Sequence, residues 1–380
     1  MKFYQSRKRV MESVPAWSAG RTVLSCSRQT RICSGAHPAL VWRQSRRVGP
    51  AADGNAQMNR HSAFADAVSA LDEGDFDLLR RAVDERCCRE KHGFGTLAEA
   101  ADLYRTDPAC PSCRAASPFR DGRTAGGVQR WRCRACGARF TSLTGTVLEG
   151  SKSDMATWCR FIGLMRFNVP LDAMAEELGI THQTAWEWRH RVMAAVDGYQ
   201  DRIVLRDLVW IDETYVNGTD LHLGHGVARK RGLSSQKVCI AVAIDVHKNP
   251  VAVVCGRGKP SSARVLRALG GHIAEGSLVV HDRERAHGAL IRESGCADEA
   301  HRADVNDPVY LERMAMVNNL CSWLKRYLWR FTGMSMSNLQ SYLNWFVYLF
   351  RVKRDSERWP ETARVVRHLL LTEARFRSST

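Results

Sequence analysis

The sequence predicts an α/β protein whose core is a mixed five-stranded sheet with helices, preceded by a small cysteine-bearing module and a helical segment. From Ile203 onward, stretches such as "IVLRDLVWIDETYVNG", "KVCIAVAIDVHKNPVAVVCGRG" and "SLVVHD" have the texture of strands set between turns. Ahead of them lie two CxxC pairs, "CPSC" and "CRAC". Between the cysteines and the strands, "DMATWCRFIGLMRFN" and "LDAMAEELGITHQTAWEWRHRVMAAV" carry helical periodicity.

Composition bounds the function. A chain of 380 residues with 44% hydrophobic content can bury two or three domains. Its net charge of +16 points to a polyanionic partner, nucleic acid first, because Lys and Arg bind phosphates by releasing condensed counterions. Membrane insertion is not expected: the densest apolar stretch, Trp345 to Phe350, is short and flanked by Arg351, Lys353 and Arg354. The thirteen cysteines are an odd number and no long apolar leader opens the sequence, which favours a reducing, cytoplasmic and nucleoid-associated setting. Nine of them lie outside the two pairs and are expected to be small buried hydrophobes.

Residues 1–57 carry ten Lys or Arg against Glu12 and Asp53 and sustain no period, so an extension without fixed structure is expected. A DNA-gripping basic arm, a transit peptide and a true start at Met58 all suit that composition, the last being favoured. Residues 58–105, with the periodic "AFADAVSALDEGDFDLLRRAVDERCCR", read as an N-terminal helical segment.

The module at 106–148 reads as a zinc ribbon. Cys110, Cys113, Cys133 and Cys136 leave 19 residues between the pairs, a spacing suited to one tetrahedral Zn²⁺ with a structural role. Two unrelated redox or core pairs are the alternative. Arg114, Arg120, Arg130, Arg132, Arg134 and Arg139 make the module a phosphate-binding surface or simply a solvated face.

Residues 152–200 follow the grammar of a helix-turn-helix: Ala175 four before Gly179, then Ile180 and a second helix from about Thr181. Gln183, Thr184, Glu187, Arg189 and His190 fall near the start of that helix and are expected to reach base edges. Trp186 and Trp188, two apart, cannot both face a core. An ordinary helical hairpin is the plainer alternative.

In the core, 203–355, three antiparallel strands precede a helix capped by Ser261 or Ser262, and then an apolar strand. That order is the order of an RNase H-like fold. Asp212 interrupts the first strand and Asp282 follows the last. A carboxylate in an apolar strand needs a cation or hydrogen bonds to offset its burial, and two aspartates on adjacent strands can bridge a pair of Mg²⁺ ions. A helix capped by Asp307, with Pro308 at its first position, should run on past Lys325. Asn318 and Asn319 sit in its middle, and Asn318 shares a face with Lys325, two turns on. One of the two asparagines capping a new helix is the alternative. Glu213 should point away from Asp212, while His281 and Glu284 are expected to support the site from behind. Residues 356–380 read as a basic tail, with Arg364 to Arg377 tracking DNA.

"VWIDETYV", "VVHDRERAH" and "VNNLCSWLKRYLWRF", with "NLQSYLNWF" after them and "FTSLTGTVLE" in front, resemble bacterial insertion-sequence transposases of the DDE superfamily, zinc-ribbon group. The nearest group is the insertion-sequence fifteen-ninety-five family, in which Asn can take the third acidic position and Lys follows seven later. Over residues 60–355 the resemblance implies that Asp212, Asp282 and Asn318 hold two Mg²⁺ or Mn²⁺ ions and that Lys325 contacts the transferred end. It implies that the front domains bind terminal inverted repeats. The expected partners are double-stranded DNA, at element ends and target, and a second copy of the chain as a homodimer on it. An amide binds Mg²⁺ more weakly than a carboxylate. The other reading is therefore a DNA-binding regulator that no longer cuts.

Overall fold

The structure, a computed structural model, describes residues 54–217, 237–331, 333–354 and 360–373, with side chains from residue 60. The chain divides into two units after Ser69. Of the first, the described part is helix α1 (Gly54–Ser69). Residues 54–57, expected to lack fixed structure, are therefore helical; residues 1–53 lie outside the described range.

The second unit opens with α2 (Glu73–His92), capped by the Asp72 carboxylate, which accepts from the Asp75 N–H, and ended by Gly93 at φ +87°. Thr96 caps α3 (Leu97–Tyr104), and Arg89 pairs with Glu99 across the turn. An antiparallel meander follows: β1 (Phe119–Arg123), β2 (Gln129–Arg132) and β3 (Arg139–Thr141). Its small core of Cys110, Trp131, Cys133 and Phe140 is separate from the main one.

Helices α4 (Met155–Arg166), α5 (Leu171–Leu178) and α6 (His182–Ala194) come next. Gly179 takes φ +61°, a conformation that costs glycine nothing, so the Ile180 N–H can return to the Ala175 carbonyl and α5 stops there. Thr181 then caps α6 by accepting from the Thr184 N–H.

The main sheet runs β6-β5-β4-β7-β8. Strands β4 (Leu208–Asn217), β5 (Lys237–Asp245) and β6 (Pro250–Arg257) are antiparallel neighbours, while β7 (Leu278–His281) and β8 (Ala297–Ala300) run parallel to β4. The five-stranded mixed sheet is thus the one expected. Helices α7 (Ser262–Leu269) and α8 (His287–Glu293) pack together, with α7 on β5 and β6. Helices α9 (Pro308–Arg313), α10 (Ala315–Leu328) and α11 (Leu339–Arg354) follow; α10 lies on β4 and β5, and α11 on β6.

Two expectations need correction. The helix expected to run unbroken from Pro308 breaks at Met314. There the Trp210 indole donates to the Arg313 carbonyl while the Arg313 guanidinium pairs with Glu299, so the break is pinned to the sheet. Nor is the C-terminal segment a free basic tail. Helix α12 (Glu361–Leu371) buries Val365, Val366, Leu369 and Leu370 against α3 and α4. Its apolar stripe outweighs the exposed Arg367, and residues 374–380 lie outside those described. Among the described helices none is long and apolar enough to cross a membrane.

Candidate active site and metal centres

Strand register sets the carboxylate pair. β4 and β7 are parallel, with Leu208 opposite Leu278 and Trp210 opposite Val280. Two residues on, the same register carries Asp212 toward Asp282, which leaves the end of β7. Asp212 lies within β4 and Asp282 just past the end of β7, close enough for the charge of Asp282 to act on Asp212. Asp212 Oδ1 accepts from the Glu213 N–H at 2.8 Å, and Asp282 Oδ1 from the Glu284 N–H at 3.1 Å. Burial, and then the charge of Asp282, raise the Asp212 carboxyl to about 6. Two such carboxylates crowded in a half-buried site are a donor set that a divalent cation would satisfy.

Helix α10 covers this face. The Cys321 thiol lies 3.9 Å from Asp212 Oδ2, and burial with the Asp212 charge pushes that thiol's pKa up. Asn318 is half-buried one turn before Cys321, and Lys325 is exposed one turn after it, so the three form one stripe beside Asp212. Asn319 is exposed. Tyr310 on α9 senses the pair too: burial and then the charges of Asp212 and Asp282 raise its phenol.

The opposite face is organised by His287. Glu213, pointing away from Asp212 as strand alternation requires, accepts from His287 Nε2 at 2.9 Å. His287 Nδ1 lies 3.1 Å from His281 Nδ1 and 3.8 Å from Asp282 Oδ1. Burial alone would lower the His287 pKa, but its hydrogen bond to Glu213 and the surrounding carboxylates raise it on balance; burial lowers that of His281. Glu284 pairs with Lys259 at 2.8 Å. Sequence reasoning passed over His287, Tyr310 and Cys321. The spacing of His281 and His287 around Asp282 in "HDRERAH" was the available signal for the first.

The four paired cysteines converge as well. Cys110 and Cys136 Sγ are 3.7 Å apart, Cys113 and Cys133 Sγ 3.5 Å, and all four sulfurs lie within 4.8 Å of one another. Zn–S bonds of about 2.3 Å in a tetrahedron give S···S edges of roughly 3.8 Å, so the thiols fit one zinc ion. Backbone N–H groups of Cys113 and Ser112 pull the Cys110 thiol down to about 6, and those of Cys136 and Ala135 lower Cys133.

On α6 the expected base-reading residues separate. Gln183 is exposed, Thr184 and Glu187 are half-buried, and Gln183 donates to Glu187 at 3.1 Å. Arg189 and His190 are corrections. Arg189, 5% exposed, donates to the Val169 carbonyl at 2.7 Å and lies over the Phe331 ring. His190, 7% exposed, sits between Trp186 and Tyr342, and burial lowers it to about 4. Both lie against Tyr342 of α11, which packs on the later turns of α6; His190 shares the face of Gln183, two turns on, and is buried because that end of the helix is covered. Trp188 stacks on Trp158 at 3.9 Å, leaving Trp186 half-buried.

A comparison with curated proteins finds no match. Among solved structures, a simian T-cell lymphotropic virus intasome in complex with PP2A regulatory subunit B56 gamma is similar at 13% identity, covering 49% of this chain and 67% of that one, with a TM-score of 0.26. A pre-cleavage Mos1 transpososome is similar at 13% identity over 56% of this chain and 78% of that one, TM-score 0.19. The Mos1 mariner paired end complex with Mn is similar at 14% identity over 55% and 78%, TM-score 0.19. Residues 204–351 match the model of the ISXO2-like transposase domain. That stretch, the part of the chain similar to the ISXO2-like transposase domain, carries both aspartates, the α10 stripe and the sheet between them.

Proposed function

We propose that the chain is a transposase that binds the terminal inverted repeats of an insertion sequence, cuts its ends and joins them to target DNA. One observation carries this reading above the others: Asp212 on β4 and Asp282 just after the adjacent parallel strand β7, far apart in sequence, come together with Asp212 against the α10 stripe. The match of residues 204–351 to a transposase domain supports it, and an RNase H-like core accounts for the strand order.

In this reading Asp212, Asp282 and Asn318 are the residues that would hold two Mg²⁺ or Mn²⁺ ions, which when bound would supply Lewis-acid chemistry for phosphoryl transfer. Lys325 lies exposed where it can take a DNA phosphate and orient the end. Water attacks an end phosphodiester, leaving a 5′ phosphate and a free 3′ hydroxyl; that hydroxyl then attacks a target phosphodiester and the target strand's 3′ oxygen leaves as a hydroxyl. The module at 106–148 acts as a zinc ribbon holding structural Zn²⁺. The α5–α6 pair acts as a helix-turn-helix, with Gln183, Thr184 and Glu187 facing DNA. A homodimer on the DNA would present one site to each end.

The test is a nicking assay on a duplex carrying the element ends, with Mg²⁺ or Mn²⁺. Nicking that disappears in Asp212→Ala supports the proposal, and nicking that survives this substitution removes the site from it. Binding without nicking under either ion favours the DNA-binding regulator.

A further inference from the structure

Behind the aspartate pair lies a second constellation with different ligand chemistry. His281 closes β7 and His287 opens α8, and both side chains are buried, at 5% and 1% exposure. Each imidazole presents its Nε2 to a carboxylate, His287 to Glu213 at 2.9 Å and His281 to Asp298 at 3.4 Å. An ionised carboxylate only accepts hydrogen bonds, so the ring nitrogen facing it carries the hydrogen. In neutral rings the two Nδ1 atoms, 3.1 Å apart, would present lone pairs to each other, so the space between them suits a cation, a proton or a metal ion. Lone pairs facing at that distance repel unless a cation lies between them.

The geometry suits a metal ion. Zn–N bonds of about 2.05 Å put two imidazole nitrogens roughly 3.3 Å apart in a tetrahedral site. Asp282 Oδ1 is 3.8 Å from His287 Nδ1, and the three ligand atoms lie within 4.8 Å of one another. A carboxylate behind each histidine is the arrangement that fixes the tautomer and aims a metal-binding imidazole.

We propose that His281 Nδ1, His287 Nδ1 and the Asp282 carboxylate form a binding site for a divalent cation of the zinc class, distinct from the tetrathiolate site and from the oxygen-rich face around Asp212. Nitrogen ligands select Zn²⁺ or Co²⁺ over Mg²⁺, which favours oxygen. The three protein ligands leave a tetrahedral ion one open position. Asp282 belongs to both faces, so an ion held by the histidines fixes the carboxylate that the transposase reading needs.

Metal counting on the full chain tests this without DNA, so its result is independent of whether the protein cuts. The chain is saturated with Zn²⁺, desalted and measured by elemental analysis. Wild type is expected to hold about two equivalents, and His281→Gln and His287→Gln about one each, the thiolate site remaining loaded. Co²⁺ loading of wild type provides a second readout that needs no folded variant: a second equivalent should add visible bands without further sulfur charge transfer. A wild-type count of about one, folded variants that hold as much as wild type, or a second Co²⁺ bound only through sulfur would overturn the proposal and leave a proton between the imidazoles.

Discussion

The Cys321 thiol on α10 lies 3.9 Å from Oδ2 of Asp212 on β4, and this contact fixes which face of the helix meets the sheet. Asn318 and Lys325 flank Cys321 on that face, whereas Asn319 is turned to solvent. Asn318→Ala should lower metal-dependent nicking by about 10- to 100-fold, with circular dichroism unchanged. Asn318→Asp should nick at lower Mg²⁺ concentration than wild type, because a carboxylate binds that ion better than an amide. Equal Mg²⁺ dependence in all three proteins would take Asn318 out of the site.

Asp212 also makes the metal-free protein pH-sensitive. Its carboxyl is raised from 3.8 to about 6 by burial and then by Asp282. Between those values the folded chain keeps a proton that the unfolded chain has released, so this group's contribution to stability falls as pH rises through the window. At pH 7.5 without metal, Asp212→Asn should therefore be more stable than wild type, by about 3 kcal/mol. The difference should close below about pH 4, where the carboxyl is protonated in both states. Thermal melts across pH measure it, and Mg²⁺ should stabilise wild type more than the variant.

Arg189 and Gln183 should respond in opposite ways. Replacing Arg189 with Met strands the Val169 carbonyl and uncovers the Phe331 ring, for a loss of about 2 kcal/mol in denaturant unfolding. Gln183→Ala, at an exposed position, should stay within about 0.5 kcal/mol of wild type in stability. Its effect should be on DNA, weakening sequence-selective binding by about 1 kcal/mol or more. A melting temperature equal to wild type for Arg189→Met would contradict the burial described above.

Chelation offers a direct probe of the cysteine cluster. Trp131 packs between Cys110, Cys133 and Phe140, and its indole donates to Ser142 Oγ at 2.8 Å. Stripping zinc should shift the Trp131 emission, as judged against Trp131→Phe, because the small sheet has little other core to hold it. The thermal transition of the main sheet should survive the same treatment.

Ending the chain at residue 359 removes α12 and exposes the faces of α3 and α4 that Val365, Val366, Leu369 and Leu370 cover. The expected loss is roughly 5 kcal/mol or more, read as a lower melting temperature and aggregation. Arg367→Ala, on the exposed side of the same helix, should melt with wild type.

Much of this architecture is legible along the chain because its signals are local. The CxxC spacing, the apolar runs around Asp212 and Asp282, and the Gly179 turn each declare themselves within a few residues. What sequence alone hides is which partner covers a helix face. Arg189 looks like a surface cation until α11 and Phe331 are placed against it, and α12 looks like a basic tail until its valines and leucines meet α3. The break at Met314 depends on a hydrogen bond from Trp210, more than a hundred residues away in sequence. His287 acquires its significance only when alternation along β4 turns Glu213 toward it.

Helix α12 ties back to the segment after α3: Arg105 Nη1 donates to the Leu370 carbonyl across 265 residues. Closing so large a loop adds little entropy cost for each further doubling of length, but it can happen only once α12 has been synthesised. The early helices thus wait for the last one to cover them. Grafting the front of this protein onto a foreign core would leave that apolar surface open to solvent, so its halves are not interchangeable cassettes.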